Sequence, residues 1–319
     1  MITIGIVGCG AVVHSNYAQT LRGRKAYRVG LVTDLVAAQA ASAARLFGAE
    51  AVSFEDVVER SDAVVVTTPP DTHAVLLRRC LRSGKTVLCE KPFTTSYRDA
   101  ASLVADANAA GALLYVGHFR RTFPQVELAR SLVGMGVIGR VAEIAVSEGG
   151  RFTWKTVSDY TVTSESGGVL WDTGSHTLDM ALFAAGLDAW PEIDVAVREV
   201  TRDKPEPSHD FRGRFTIAGS DSTQRVECRV HLSRKDALPN LVRIAGERGS
   251  VTFSVAMDHR VRLTTASGST VLAAEREHAD LMECFDLQMR RILLKQQDQD
   301  FSAERFLVLT TVLEALARG

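Results

Sequence analysis

The 319-residue chain has little of what would mark a scaffold, a membrane span or a nucleic-acid clamp. Cysteine is scarce: five residues, at 9, 80, 89, 228 and 284, an odd number with no CxxC pair. That excludes a disulfide framework and a thiolate zinc site, and predicts reduced thiols in a cytoplasmic protein with no metal centre. An excess of one charge is also missing, because 37 Lys and Arg stand against 38 Asp and Glu, a net of -1. No basic field is available to hold nucleic acid or an anionic membrane. No apolar run approaches the length of a span. The amino terminus, MITIG, enters a strand-like run with no basic region or signal-type apolar stretch before it. Repeats and low-complexity tracts are absent. What is present is 46% hydrophobic and 24% charged residues, enough for a sizeable core, over a length that suggests about two domains.

The first third alternates strand and helix. Strands are predicted at 2–7 (ITIGIV), 27–34, near 50–53, and at 62–68, 86–90 and 112–117. Helical patterns separate them: a stretch to about Leu21, an Ala-rich run over 35–47 closed by Gly48, FEDVVER, 71–83, and a run from a Ser96/Asp99 capping box to about Ala110. That alternation predicts a parallel sheet covered on both faces. The rhythm changes after about residue 120. A helix near 124–134 is followed by strand-like runs at 140–148, 193–201, 212–218, 223–233, 241–255 and 259–266. In RVECRVHL, Val226, Cys228, Val230 and Leu232 alternate with Arg225, Glu227, Arg229 and His231, so one face is expected buried and the other polar. Helices near 168–185 and 303–318 complete this half, and KPEPSHD (204–210) reads as a hairpin tip or loop. The fold class is therefore α/β: an N-terminal Rossmann-type dinucleotide domain over 1–120, and a C-terminal α+β domain over 121–319 with a mostly antiparallel sheet. The last helix is allowed to pack back on the first domain.

Three groups of residues carry chemistry. Gly8-Cys9-Gly10 follows the first strand and opens a helix. Gly8 suits the tight turn, and Gly10 lets backbone approach a pyrophosphate at a helix N-terminus. Val13 stands where the third glycine of GxGxxG is expected. Asp34 ends the second strand, where an acid accepts ribose hydroxyls and repels a 2′-phosphate, favouring NAD over NADP. The plain alternatives are a tight turn that binds nothing and an N-cap role for Asp34. Glu90-Lys91-Pro92 follows the fifth strand, and carboxyl ends of parallel strands are where such folds bind ligands. A lysine there can donate to a substrate oxygen; a surface Glu90–Lys91 pair is the alternative. Asp172 and His176, in GGVLWDTGSHTLD, are spaced to share a helix face. The histidine suits proton transfer with a hydroxyl and the aspartate can stabilise the imidazolium or bind substrate; an ordinary solvated pair has the same spacing.

Together the stretches IGIVGCGA, TTPPDTHA, GKTVLCEKP, VGHFRR, GGVLWDTGSHTLD and NLVRIAGERGSVTF resemble the glucose-fructose oxidoreductase / inositol dehydrogenase / rhizopine catabolism (Gfo/Idh/MocA) family over nearly the whole chain. The resemblance implies a Rossmann domain followed by a domain whose large open sheet commonly forms a dimer or tetramer interface. It implies NAD(P)-dependent hydride transfer to or from sugars, cyclitols and related hydroxyl compounds. Lys91, Asp172 and His176 become the catalytic set. Gly8, Gly10 and the following Ala11, Val12 and Val13 become the pyrophosphate loop, Asp34 the ribose acid, and Thr68, Pro69, His73, Glu90 and Lys91 the remaining cofactor contacts. Val13, and Pro70 where the family usually has Asn, depart from the pattern. The family topology also nominates Arg151, Trp154, Tyr160 and Arg120, beside Asp172 and His176, for the substrate. Trp171 reads as helix packing, and His14, His118, His209 and His231 have no partner pattern. The expected ligand is a small sugar or polyol with NAD, with a homodimer or homotetramer as the assembly. The rival readings are a redox-cycling NAD-dependent glycosidase and a non-catalytic NAD-binding regulator.

Overall fold

A computed structural model describes residues 1–151, 164, 167–204, 207–220, 224–276, 280–294 and 298–319. Two compact units emerge. One holds Met1–His118 and Met282–Phe306; the other holds the described residues of 119–281 and Leu307–Gly319. A single cut at residue 120 does not anticipate this return of the chain to the first unit.

The first unit is a six-stranded sheet of β1 (Ile2–Val7), β2 (Tyr27–Thr33), β3 (Glu50–Ala51), β4 (Ala63–Val66), β5 (Thr86–Glu90) and β6 (Leu113–Gly117). Its order is β3-β2-β1-β4-β5-β6 and every pairing is parallel. This is the dinucleotide-binding order, reversing direction between β1 and β4. Runs such as Val64-Val65-Val66 are buried because helices lie on both faces. The helices include α1 (Ala18–Leu21), α2 (Ala37–Phe47), α3 (Phe54–Arg60), α4 (Pro70–Leu81) and α5 (Tyr97–Ala110). Ser96 caps α5 by accepting from the Asp99 amide at 3.4 Å, but the box is half formed, since the Asp99 carboxylate pairs with Arg78 at 2.9 Å.

His73 on α4 clips that helix to the turn after β5. It is fully buried. Its Nε2 lies 2.8 Å from the Thr68 carbonyl, and its Nδ1 lies 3.2 Å from the Cys89 thiol and 3.1 Å from the Pro92 and Phe93 carbonyls. Burial holds the imidazole pKa below its ordinary value, against the pull of those carbonyls, while burial also pushes the Cys89 thiol up. A neutral ring has one N–H to donate, and the contact of Nε2 with the Thr68 carbonyl is the shortest of those around it.

Two elements of the carboxyl-terminal third escape the sequence reading. Helix α8 (Leu281–Leu294, numbered after the two helices of the second unit given below) packs into the first unit. Its Phe285 meets Tyr17 edge-on at 5.0 Å, and its Asp286 accepts from the Tyr27 hydroxyl at 2.9 Å. Strand β14 (Gly268–Ala273) is an exposed edge with no alternating pattern to detect.

The second unit is an eight-stranded sheet, ordered β14-β13-β12-β11-β7-β10-β9-β8. Its other members are β7 (Val141–Gly149), β8 (Ile193–Arg202), β9 (Asp210–Gly219), β10 (Arg225–Ser233), β11 (Leu241–Gly246), β12 (Gly249–Ser254) and β13 (Arg260–Thr265). Only β10 and β7 run parallel. Val226, Cys228, Val230 and Leu232 are buried as the alternation requires, and Arg225, Glu227 and Arg229 are exposed on the opposite face. The covered face carries α6 (Pro124–Gly134), α7 (Ser175–Ala185) and the last helix, α9 (Leu307–Arg318). The last helix belongs to this unit: Arg202 of β8 donates to its final carbonyls, Leu316 at 3.0 Å and Ala317 at 2.9 Å.

Helix α7 is apolar nearly all round, as a fully enclosed helix must be. Its one acid, Asp179, is buried against Arg121, which follows β6. Arg121 Nη2 donates to Asp179 Oδ1 at 2.6 Å and Nε to Oδ2 at 2.9 Å, while Nη1 reaches Asp188 at 3.3 Å. Arg130 holds the other Asp188 oxygen at 3.1 Å, and both guanidinium groups lie over the Phe183 ring. Burial raises the Asp179 pKa in spite of Arg121.

Arg121→Met is expected to cost about 3–5 kcal/mol, because it strands the buried Asp179 carboxylate and leaves Asp188 to Arg130 alone. Arg121→Met/Asp179→Leu should cost less than Arg121→Met alone; urea unfolding of the four-member cycle checks both. The His73 proton sets a pH window. Its folded pKa lies below the unfolded value of about 6.5, so the unfolded chain gains a proton that the folded chain refuses, and stability falls as pH drops below that value. Unfolding midpoints between pH 8 and pH 5 should fall more steeply for the parent than for His73→Gln; parallel slopes would refute the assignment.

Candidate active site

Because β1, β2, β4 and β5 run parallel, Gly8, Asp34, Thr68 and Lys91 leave the sheet at one edge. Gly8 has φ +92°, and a Cβ there would stand 2.8 Å from Thr68 Cγ2 and 3.0 Å from the Thr67 carbonyl carbon. Only glycine fits. A Cβ on Gly10 would meet nothing within 4 Å, so bare backbone faces open space. That is the cradle a pyrophosphate requires. Ala11 and Val12 are half-buried beside it. Val13 is fully buried at the start of a π-helical turn, Val13–Tyr17. The wider turn makes room for a branched side chain where the usual pattern places a third glycine.

Asp34 is held by backbone amides on both carboxylate oxygens: Cys9 N–H donates to Oδ2 at 2.7 Å and Val36 N–H to Oδ1 at 2.8 Å. It is not the N-cap of α2, a position that falls to Val36. Its lone pairs beyond those amides suit ribose hydroxyls. Thr68 accepts from the Thr72 hydroxyl at 2.8 Å, and Pro69 is exposed. Pro70 occupies the first turn of α4, where proline is favoured, so this departure from the family pattern leaves the helix intact. His73, expected among the cofactor contacts, stands behind the site as the buried clip described above.

Glu90 is buried. Its Oε1 accepts from the Tyr17 hydroxyl at 2.8 Å and its Oε2 from the Lys91 amide at 3.1 Å. Burial raises its pKa, with Tyr17 and Lys91 pulling the other way. Tyr17 comes from the π-helical turn after the glycine loop, so that loop and the Lys91 turn are tied by one hydrogen bond. Lys91 is half-buried, and its bond to Pro92 is cis.

In the second unit, Asp172 sits in another π-helical turn, Leu170–Gly174, directly before α7, which carries His176. Such turns recur at functional positions. Gly174 packs closely under β10, where a Cβ would lie 2.8 Å from the Leu232 Cδ1 methyl. Asp172 Oδ2 accepts from Arg234 at 2.7 Å, and the His176 ring meets Phe119 edge-on at 5.8 Å. Trp171 is buried, as packing requires.

Arg120, expected to face the substrate, is instead gripped by Glu148, with its guanidinium 2.9 Å and 3.1 Å from the two carboxylate oxygens. The Thr177 hydroxyl donates to the same carboxylate. A charge engaged on both prongs ties β7 and α7 to the segment after β6, with about a fifth of the Arg120 side chain still exposed. Arg151 is exposed. Trp154 and Tyr160 lie outside the described residues. Tyr17, Glu148 and Arg234 went undetected because their partners are distant in sequence: Tyr17 and Glu90 are 73 residues apart, and Arg234 and Asp172 are 62 apart. Among the described residues no group of His, Cys, Asp and Glu could hold a metal ion, and no helix is long and apolar enough to cross a membrane. All five cysteines are buried, and none is in a disulfide.

Comparison with known proteins agrees with this geometry. Residues 2–118 match the oxidoreductase family model with an NAD-binding Rossmann fold, GFO_IDH_MocA, and residues 126–252 match the GFO/IDH/MocA C-terminal domain. The chain is 33% identical over 190 residues to an inositol 2-dehydrogenase of Rhizobium meliloti, covering 58% of this chain and 55% of that protein. It spans about half the length of the first curated relatives it matches. An oxidoreductase from Thermotoga maritima has the same fold, with TM-score 0.79 at 19% identity over 99% of this chain and 96% of the other. A 3-ketoreductase from Actinomadura kijaniata, solved with NADP and TDP-benzene, superposes with TM-score 0.78 at 20% identity over 100% of this chain and 97% of the other. With both domain models matched in order, the chain belongs to the Gfo/Idh/MocA oxidoreductase family.

Proposed function

We propose that the protein is a cytoplasmic NAD-dependent dehydrogenase or reductase that interconverts a hydroxyl and a keto carbon on a sugar or cyclitol. The observation that carries this reading is the shared edge at which the glycine loop, Asp34, Thr68 and Lys91 leave the first sheet. The loop receives the pyrophosphate and Asp34 the adenosine ribose. The bound nicotinamide supplies the redox chemistry.

The chain's own residues do the rest. The Lys91 ammonium donates to the reacting oxygen and polarises it. His176 takes the hydroxyl proton during oxidation and returns it during reduction. Asp172 stabilises the imidazolium or holds a neighbouring hydroxyl. The residues after Asp34, Leu35 and Val36, are exposed and apolar and offer no cation to a 2′-phosphate. This favours NAD, although the Actinomadura neighbour holds NADP. Inositol is the first substrate to try, because the Rhizobium relative is an inositol 2-dehydrogenase. The polar outer face of the second sheet is the surface we assign to a second copy of the chain.

Four outcomes test the reading. Mixing the protein with NAD and a panel of cyclitols and sugars should raise reduced-nicotinamide absorbance. Lys91→Ala should lower kcat by about 10² to 10⁴ while leaving NADH affinity near the parent value; unchanged turnover would remove the lysine from the mechanism. His176→Ala should delete one limb of the pH–rate profile. Asp34→Ala should shift the NAD/NADP ratio of kcat/KM toward NADP by a factor of about five, the worth of roughly 1 kcal/mol of charge repulsion near 4 Å in water. Free sugar appearing without net NADH would instead identify a redox-cycling glycosidase.

A further inference from the structure

The DTGSHTLD segment carries two aspartates seven residues apart, and each meets an arginine. The two pairs differ in one respect. Asp179 and Arg121 are both closed off, with side chains 1% and 0% exposed. Asp172 is 27% exposed, while Arg234 behind it is 3% exposed. A closed pair locks packing. A pair open on the carboxylate side alone presents an acid whose back is held.

We infer that Arg234 is a positioning residue for the proposed reaction, acting through Asp172; the inference rests on the functional reading above. Arg234 follows β10 directly. Its backbone amide donates to the His209 carbonyl at 2.7 Å, which fixes the stem. Its Nη2 donates to Asp172 Oδ2 at 2.7 Å and lies 3.3 Å from the Gly167 carbonyl. The guanidinium therefore spans the glycine pair before the π-helical turn and the acid within it. A second tie on that glycine pair comes from the Val169 amide, which donates to the Ser208 carbonyl at 2.9 Å.

Two features make this bond more than an ordinary ion pair. Asp172 stands inside a π-helical turn, where side chains leave the backbone in directions a regular helix does not give, so its carboxylate is aimed by what holds it. Both acceptors are met by one nitrogen, Nη2, at the end of a planar guanidinium of fixed direction, whereas the ammonium of lysine sits on a flexible stem. Buried as it is, Arg234 acts on the reaction by setting where the Asp172 carboxylate points.

The test compares the parent with Arg234→Met, Arg234→Lys, Asp172→Asn and Arg234→Met/Asp172→Asn on the polyol that the parent oxidises. NADH binding and thermal midpoint are followed in each. Arg234→Met should lower kcat by about 10², the scale of a small misplacement of a reacting group, with NADH affinity within about twofold of the parent. Arg234→Lys should recover about tenfold of that loss, and it serves as the folded reference if the Met variant does not fold. The double variant should be no slower than Asp172→Asn, since both changes remove one unit. Parent-level kcat in Arg234→Met, or independent multiplication of the two losses, would overturn the inference alone. Arg234→Lys as slow as Arg234→Met would do the same. Parent-level kcat in Asp172→Asn, or no turnover by the parent on any panel member, would instead overturn the functional reading on which it stands.

Discussion

The second unit depends on a charge buried without water. Arg121 is fully enclosed, and an isolated guanidinium there would be prohibitive. It is tolerated because Asp179 takes it on two prongs and Asp188 on a third nitrogen, with Arg130 closing the set against Phe183. Such a cluster adds little to stability over an apolar core of the same shape, but it admits few alternative packings. It ties the segment that follows β6 to the buried helix bearing His176. The neighbouring Arg120–Glu148–Thr177 set repeats the tie between the same segment, β7 and that helix. The candidate proton-transfer residue thus stands on an element held from two directions.

In the first unit the buried polar groups are a histidine, a thiol, a phenol and a carboxyl. His73 and Cys89 are buried side by side, and burial disfavours the charge of each. Tyr17 donates to a buried Glu90. Both contacts converge on the turn that carries Lys91. A half-buried lysine at a strand end needs a rigid stem if its ammonium is to meet a particular oxygen. Here the stem is fixed from the α4 side by the imidazole and from the glycine-loop side by the phenol. The two π-helical turns fall at the two places where the backbone must depart from regular geometry, after the dinucleotide loop and at Asp172.

Much of this was legible in the linear chain. The Val-rich runs announced strands buried on both faces, and GxG after the first strand with Asp34 after the second announced the dinucleotide edge. The alternation in RVECRVHL set the two faces of the second sheet. Spacing suggested a shared helix face for Asp172 and His176, and the structure places the first in a π-helical turn directly before the helix that carries the second. Other features were less accessible. Arg120 looks like an available cation until Glu148 is folded against it. His73 looks like a site histidine until both its nitrogens are seen engaged. The α8 segment carries an amphipathic face, yet nothing in its periodicity says that this face belongs to the first unit.

The sequence by itself determined the two sheet types, the edge that receives a dinucleotide, and the family's lysine, aspartate and histidine. These are local properties: strand burial, turn chemistry and side-chain spacing act within a few residues of one another. Only the tertiary structure decided which charges are engaged and which are exposed. Arg121, Arg120 and Arg234 read alike in the chain, yet the first locks a core, the second braces a strand, and the third stands behind an exposed acid. The difference lies in carboxylates 28 to 62 residues away, and in how much water each pair retains after folding.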